Sequence, residues 1–258
     1  MSQALALFGA QAIHFVYHTG GIARLVTRTA RVIFRSRWDH REIVRQCFVI
    51  GNRSLAIVAL TGLFTGMVLA LQFTIGLGRF GLKLYTAQVV GLALTRELAP
   101  VLTSLMVAAR VGSGIAAELG SMMVTEQVLA IEAMGADPIQ RLVAPRLIAT
   151  MITTPLLTVF ANAIGVFGGM VITVGEAGVT PTFYMQQIWR TVVTEDFVHG
   201  LAKTVFFAGC IASIACYQGL TTYGGTEGVG RSTTRAVVYA SIVIFIADFF
   251  LTKLFILL

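Results

Sequence analysis

Four charged residues interrupt stretches of the sequence that are otherwise apolar: Arg96, Glu97, Lys203 and Asp248. If these stretches cross a bilayer, an isolated charge at its centre costs at least ~2.5–3.5 kcal/mol, so opposite charges at similar depth are expected to pair. We therefore predict a network in which the two acids pair with the two bases. Such a network could tie helices together, bind a phosphate group through its bases, or relay protons through its acids.

The spacing of these residues gives the two acids the same depth. Glu97 lies 13 residues before Arg110, and Asp248 lies 13 residues after Arg235, where each arginine ends an apolar stretch. A helix rises 1.5 Å per residue, so each acid is expected about 20 Å from that end. The alternative is that the two bases of the network simply mark the outer boundary of the membrane.

The stretches that carry these residues are predicted to be membrane-spanning helices. Hydrophobic residues make up 56% of the chain and charged residues 12%, about half the ~25% usual in soluble domains, which argues against a soluble globular enzyme. About 20 apolar residues cross a bilayer as a helix. Five stretches have that length: 54–78, 84–109, 147–175, 201–222 and 236–258. The predicted fold is an all-α integral membrane protein with a five-span domain over 54–258.

The distribution of basic residues predicts how the five spans are oriented. Of the 19 lysines and arginines, 13 precede the first span or follow the second and the fourth spans. Basic residues gather on the cytoplasmic side of membrane proteins. We therefore predict a cytoplasmic N-terminus and a periplasmic C-terminus. The basic residues on the cytoplasmic side would then account for the net charge of +7, so a nucleic-acid partner is not needed to explain this charge.

The segment over 1–53 is predicted to be cytoplasmic and to include an amphipathic helix over 22–35. At 100° per residue, four arginines of this helix fall on one face, opposite its apolar residues: Arg24, Arg28, Arg31 and Arg35. A helix with a basic face of this kind lies in the membrane interface, near anionic headgroups. The alternative is a solvated helix that packs on the rest of the protein.

The connection between the second and third spans, over 110–146, is predicted to contain a short helix. Thr125 is expected to cap a helix over Glu126–Met134, Gly135 to end it, and Asp137 with the following proline to prevent its continuation. A short amphipathic helix in a cytoplasmic loop suits contact with a separate motor subunit. The alternative is an ordinary connecting helix that lies on the membrane.

Several kinds of site are absent from the sequence. No G-x-x-x-x-G-K-[ST] motif occurs, so the chain is not expected to bind ATP by itself. His14 and His18 stand four apart and could hold a metal ion, but no carboxylate or cysteine ligand is near them in sequence. No serine, histidine and acid stand in a recognisable nucleophile context. We therefore predict no enzymatic activity, no metal site and no cofactor in this chain.

Consecutive motifs from residue 97 onward resemble a known family. They are E-L-x-P-V-L, A-x-R-x-G-S, A-E-L-G-x-M, T-E-Q, M-x-x-D-P and P-R, followed by G-x-x-R-x-T-T-R-x-V-V at 228–238 and by Asp248-Phe249. Their order and number resemble the MlaE (YrbE) permease family of ABC lipid transporters, over about residues 40–258. The resemblance implies movement of phospholipids between the inner and outer membranes, which maintains outer-membrane lipid asymmetry.

The resemblance also implies a set of partners. In that family the permease is a homodimer in the bacterial inner membrane. It works with a pair of cytoplasmic ATPase subunits that bind ATP, a STAS-domain regulatory subunit and a periplasmic hexamer of MCE-domain proteins. Five spans are few for a carrier that acts alone, and a homodimer would supply ten. The number of predicted spans is therefore compatible with this assembly.

Two groups of residues are candidates for function within such a permease. The first group is an apolar stripe on the outer half of the first span, formed by Leu69, Phe73, Leu77 and Phe80. Together with the charged network, this stripe would line an acyl-chain pocket. The alternative for this stripe is ordinary helix packing or lipid contact. The loop helix and its flanks would couple to the ATPase through seven residues: Glu118, Met122, Glu126, Gln127, Ile131, Met134 and Asp137.

Two other classes of function remain open from the sequence. A stand-alone ion-coupled carrier would use Glu97 and Asp248 as a proton relay, and such carriers usually show inverted repeats, which we do not find. An integral membrane enzyme acting on lipid would need a polar catalytic cluster at one interface.

Overall fold

A computed structural model describes residues 2–35 and 40–257, with side chains from residue 16 onward except at positions 34 and 256. Within these ranges the chain forms eight helices and no strand: α1 (Ser2–Arg35), α2 (His40–Gly78), α3 (Lys83–Val124), α4 (Gln127–Ala133), α5 (Ile139–Ala177), α6 (Pro181–Thr191), α7 (Thr194–Leu220) and α8 (Gly225–Leu257). Five of them, α2, α3, α5, α7 and α8, are long and apolar enough to cross a membrane, which agrees with the predicted number of spans.

The long helices continue beyond the stretches predicted from hydropathy. The second, α3, passes Arg110 and ends at Val124, and α5 already begins at Ile139. The predicted connection over 110–146 is therefore mostly helix, and only the segment between these two ends is a true connection. Hydropathy indicates which residues can lie in the hydrocarbon of a bilayer, whereas a helix ends where its backbone hydrogen bonds end. An isolated charged residue can therefore end an apolar stretch without ending the helix. Likewise, α2 crosses position 53/54 without a break.

One end of the bundle carries α1, α4 and the first residues of α2, α5 and α8. We call this end the basic end. The four arginines predicted on one face of α1 are exposed, while Ile22, Leu25 and Val32 pack against the protein core. The apolar side of α1 thus covers protein, as in the alternative stated above, and its position in a membrane interface stays a prediction.

Small residues bring α2 and α5 into close contact. A Cβ atom at Gly66 would overlap the carbonyl oxygen of Gly165, and one at Gly62 would lie 2.9 Å from the carbonyl oxygen of Ala161. Close backbone approach through small residues is the usual way in which helices pack in lipid. The contact lies within one chain, so these glycines fix the α2–α5 pair.

Candidate functional site

The charged residues of three spans meet at Lys203, a residue of α7 that is 2% exposed. Its ammonium nitrogen donates to Glu97 Oε2 at 2.6 Å and to Asp248 Oδ1 at 3.1 Å. It also contacts Thr252 Oγ1 at 2.7 Å and the carbonyl oxygen of Arg96 at 3.2 Å. The pairing of Lys203 with both acids, predicted from their common depth, is present, and it connects α3, α7 and α8.

The local structure of α3 explains why a lysine fits there. Pro100 has no amide hydrogen, so it cannot donate to the carbonyl oxygen of Arg96 four residues earlier. The helix widens just before this proline, where the amide of Ala99 donates to the carbonyl oxygen of Leu94, five residues back. Lys203 supplies a hydrogen bond to the carbonyl oxygen of Arg96 from the neighbouring helix.

A glycine lets α7 approach α3 closely enough for this contact. A Cβ atom at Gly200 would overlap the carbonyl oxygen of Thr95. Gly200 lies three residues before Lys203 and therefore on the same face of α7. The close approach at Gly200 brings the lysine against the widened turn of α3.

Thr252 completes the network from α8. It lies four residues after Asp248, and its hydroxyl contacts the carbonyl oxygen of Asp248 at 2.7 Å and Glu97 Oε1 at 3.2 Å. An ammonium has three hydrogens, and four oxygen acceptors surround this one. Lys203 therefore has no hydrogen left for a phosphate, which argues against direct phosphate binding by this residue.

The network exposes its acids and buries its base. The side chains of Glu97 and Asp248 are 37% and 21% exposed, and that of Lys203 is 3% exposed. Two carboxylates and one ammonium carry a formal charge of −1 when all are ionised. The surface that the network presents to its surroundings is thus anionic.

The side chain of Arg96 does not join this network, contrary to prediction. Its Nε lies 3.4 Å from Asp196 Oδ1, and only its backbone carbonyl contacts Lys203. Adjacent residues point about 100° apart on a helix, so Arg96 and Glu97 leave α3 on different faces. Asp196 is held at the start of α7, where its other carboxylate oxygen accepts a hydrogen bond from the amide of Val193 at 3.2 Å.

The apolar stripe predicted on the first span is only partly helical. Leu69 and Phe73 are half-buried and pack against a small buried cluster formed by Ala70 of α2 with Val90 and Leu94 of α3. Leu77 is also half-buried, but Phe80 lies beyond the end of α2 at Gly78 and is 79% exposed. The prediction that all four lie on one helical stripe is therefore wrong at Phe80. Leu98, the residue after Glu97, packs against the same cluster, so the stripe and the charged network use neighbouring turns of α3.

The short helix predicted in the connection is present, as α4, but its start differs. The hydroxyl of Thr125 donates back to the carbonyl oxygen of Ser121 at 2.9 Å and does not cap α4. Thr125 already terminates α3, and Glu126 adopts a left-handed conformation with φ of 60° to make the turn. Gly135 ends the segment with φ of 78°, as its type predicted. The prediction of a Thr125 cap is wrong because the preceding helix extends to it.

The seven predicted coupling residues divide into three groups. The side chains of Glu126, Gln127 and Met134 are exposed. Met122 and Ile131 instead line a cavity of about 680 Å³ at the basic end. The remaining two have partners elsewhere in the chain: Glu118 with Arg146 at 3.1 Å, and Asp137 with Arg28 at 3.3 Å.

Three residues of these sites were missed by sequence reasoning. Thr252 stands four residues after Asp248, a spacing that places it on the same helix face. Arg146 is 8% exposed and anchors the start of α5 to Glu118. Leu129 is 53% exposed on α4, so it adds a large apolar side chain to the exposed surface of this short connection.

No group of three or more possible metal ligands occurs among the described residues. His18 Nδ1 lies 3.0 Å from the hydroxyl oxygen of Tyr217. The side chain of His14 lies outside the described residues, so the predicted absence of a metal site at this histidine pair stays a prediction.

Comparisons with known proteins identify the family. The family model described as "Permease MlaE" matches residues 43–254. A probable ABC transporter permease protein of Rickettsia felis is 42% identical over 247 residues, which cover 96% of this chain and 95% of that protein. The intermembrane phospholipid transport system permease protein MlaE of Haemophilus influenzae is 40% identical over 213 residues, or 82% of each chain.

A plant protein is similar as well. The chloroplastic protein TRIGALACTOSYLDIACYLGLYCEROL 1 of Arabidopsis thaliana is 39% identical over 223 residues, which cover 86% of this chain and 64% of that protein. The match to the family model spans most of the region that forms the five long helices. This chain is therefore a multi-pass membrane protein that belongs to the MlaE permease family.

Proposed function

We propose that this chain is the permease subunit of an ABC transporter that moves phospholipids between the inner and outer membranes. The observation that carries the proposal is its 40% identity, over 82% of both chains, to a permease named for intermembrane phospholipid transport. The relatives named as ABC transporter permeases favour this function over a stand-alone ion-coupled carrier. Maintenance of outer-membrane lipid asymmetry is the expected physiological role.

The energy for transport comes from a separate ATPase subunit in this proposal. The sequence has no Walker A motif that could bind ATP. The α4 segment offers exposed apolar side chains at Leu129 and Met134, which are 53% and 73% exposed. Exposed apolar residues in a short connection suit a protein contact, with Glu126 and Gln127 at its edge. Met122 and Ile131 would support this surface from the cavity behind it.

The phospholipid would contact the outer half of α2 in this proposal. Leu69, Phe73 and Leu77 offer apolar surface for acyl chains, and exposed Phe80 extends it beyond the helix. The network at Lys203 would hold α3, α7 and α8 beside this surface, while Arg96 offers a partly exposed guanidinium for a headgroup phosphate.

The assembly and the orientation follow the family pattern in this proposal. The chain forms a homodimer in the bacterial inner membrane, with the N-terminus cytoplasmic and the C-terminus periplasmic. Its further partners are a STAS-domain regulatory subunit and a periplasmic MCE-domain hexamer. The concentration of basic residues at one end supports the orientation.

Purification of the tagged chain from its native membrane tests this proposal. We expect co-purification of an ATPase with a Walker A motif and of phospholipid above the level bound by an unrelated membrane protein purified in the same detergent. A variant with Leu129→Asp and Met134→Asp serves as the control and should lose the ATPase while the permease still inserts. Recovery of an intact permease with neither ATPase nor enriched phospholipid would overturn the proposal.

A further inference from the structure

A second cavity at the basic end lies between α2 and α3. It has a volume of about 520 Å³, and its polar lining residues are Gln46, Arg53, Ser54, Arg110, Ser113 and Glu118. Its lining also includes apolar residues, among them Ile57 and Met106. The cavity is therefore amphipathic, with charge and hydrocarbon surface next to each other.

The position of its two arginines places this cavity at a membrane boundary. Arg53 directly precedes the charge-free stretch 54–78, and Arg110 directly follows the apolar stretch 84–109. The structure brings both arginines to the same cavity, although they lie on different helices. Headgroups of a bilayer lie at the level where hydrocarbon-spanning stretches end.

Neither arginine forms an ion pair in the part of the chain that the structure describes, whereas several other arginines at the basic end do, among them Arg28, Arg45 and Arg146. Both guanidinium groups line one cavity, and guanidinium groups suit a phosphate because its oxygens accept paired hydrogen bonds. The hydroxyl of Ser54, a residue that is 0% exposed, also lacks a hydrogen-bond partner among the described atoms.

We propose that this cavity binds the headgroup of a glycerophospholipid in the leaflet at the basic end, with Arg53 and Arg110 on its phosphodiester. The apolar wall at Ile57 and Met106 contacts the glycerol and the first part of the acyl chains. Glu118 also lines the cavity, and its carboxylate, although paired with Arg146, disfavours a second negative charge nearby, so a singly charged phosphodiester is preferred over inorganic phosphate. This inference rests on the proposed function, because it gives the lipid permease a binding site at each membrane face.

The two lipid contacts lie at opposite ends of α2. Arg53 and Phe73 are 20 residues apart, which corresponds to a rise of about 30 Å, the thickness of the hydrocarbon core. One helix thus offers a headgroup site at one face and an apolar stripe toward the other. A lipid that crosses along this chain would meet both.

Binding to the purified full-length chain tests the inference. The probes are dihexanoyl phosphatidylethanolamine, glycerophosphoethanolamine and inorganic phosphate, and retained ligand is measured by native mass spectrometry. Loss of one charge-assisted contact is worth about tenfold or more in affinity, so Arg53→Gln and Arg110→Gln should each weaken phospholipid binding by about that factor. Arg79→Gln, which removes an exposed arginine just beyond the other end of α2, should not.

A photoreactive residue locates the bound lipid. Placed at Ile57, it should capture phospholipid in the wild-type background and lose most of that capture with Arg53→Gln and Arg110→Gln combined. The same residue at Leu156, an exposed apolar position on α5 that is outside the cavity, should capture equally in both backgrounds.

Two results would overturn the inference. One is unchanged binding and capture in the double variant. The other is full competition by inorganic phosphate, which would indicate a site for free phosphate. If the wild type transfers phospholipid with ATP, but phospholipid binding does not change when both arginines are replaced, only this inference fails. If phospholipid binding depends on both arginines, but ATP hydrolysis drives no lipid transfer, the proposed function fails instead.

Discussion

Lys203 of α7 donates a 3.2 Å hydrogen bond to the carbonyl oxygen of Arg96, the carbonyl whose usual helical donor would be the amide of Pro100. The same ammonium lies 2.6 Å from Glu97, so one buried cation stabilises both the backbone and the side chain of one turn of α3. This turn is where three spans meet, and its geometry makes the charged network testable.

Removal of the shared cation should harm the protein more than removal of one acid. Lys203→Met leaves two neighbouring carboxylates without an opposite charge, whereas Asp248→Asn leaves Lys203 balanced by Glu97. We expect the thermal midpoint and lipid transfer to fall most in Lys203→Met, least in Asp248→Asn, and to an intermediate extent in the double variant. Lys253→Met, at an exposed lysine of α8, is the control and should resemble the wild type. Equal effects of the two single variants would contradict shared pairing.

The close approach of α7 to α3 should depend on Gly200. An alanine there would overlap the carbonyl oxygen of Thr95 and push Lys203 away from Arg96, so we expect a lower thermal midpoint and reduced yield. Gly209→Ala on the same helix meets only the sulfur of Met151 at 3.9 Å and should be neutral or slightly stabilising, since alanine is the better helix former. A Gly200→Ala variant as stable as Gly209→Ala would contradict the close contact.

The coupling role of α4 predicts a separation of ATP hydrolysis from lipid transfer. Glu126→Lys reverses a charge at the start of the helix and should reduce lipid transfer per ATP hydrolysed several-fold, with normal membrane insertion. Glu126→Gly relieves a left-handed backbone, which costs a non-glycine residue roughly 1–2 kcal/mol, so it should raise stability and still lose coupling.

Glu227→Lys is the control for that experiment, because it reverses another exposed acid at the basic end, outside α4. Transfer by Glu126→Lys at the wild-type ratio to ATP hydrolysis would show that this residue has no part in coupling.

The apolar stripe predicts where lipid can be captured. Photoreactive residues at Phe73 and Leu77 should crosslink to phospholipid during transport, because both side chains are only half-buried near the C-terminal end of α2. The control is Leu156 on α5, an apolar side chain that is 63% exposed. Capture at Phe73 no greater than at Leu156 would indicate ordinary contact with bulk lipid.

The sequence predicted the features that depend on spacing along one helix. Five apolar stretches predicted the five long helices, and the common depth of Glu97 and Asp248 predicted that they join one charged network. These properties follow from the fixed rise of a helix and from the energetic cost of unpaired charge in hydrocarbon.

The sequence could not predict features that depend on the neighbours of a helix. Arg96 pairs with Asp196 because adjacent side chains diverge on α3, and the partner lies at the start of another helix. The sequence contains Gly62 and Gly66 four residues apart on α2. Their contact with Gly165 could not be predicted, because it depends on which helix packs beside α2. Thr125 failed as a cap because the length of α3 depends on backbone hydrogen bonds that hydropathy does not report.

The most direct test of the central claim is lipid transfer by the permease reconstituted with its co-purified ATPase in vesicles. Labelled phospholipid is followed with ATP, with a non-hydrolysable ATP analogue, and with a pH gradient but no nucleotide. We predict transfer only when ATP is hydrolysed, and loss of most of that transfer in Lys203→Met. Transfer that follows the pH gradient without nucleotide, or that persists without the ATPase, would contradict an ATP-driven phospholipid permease.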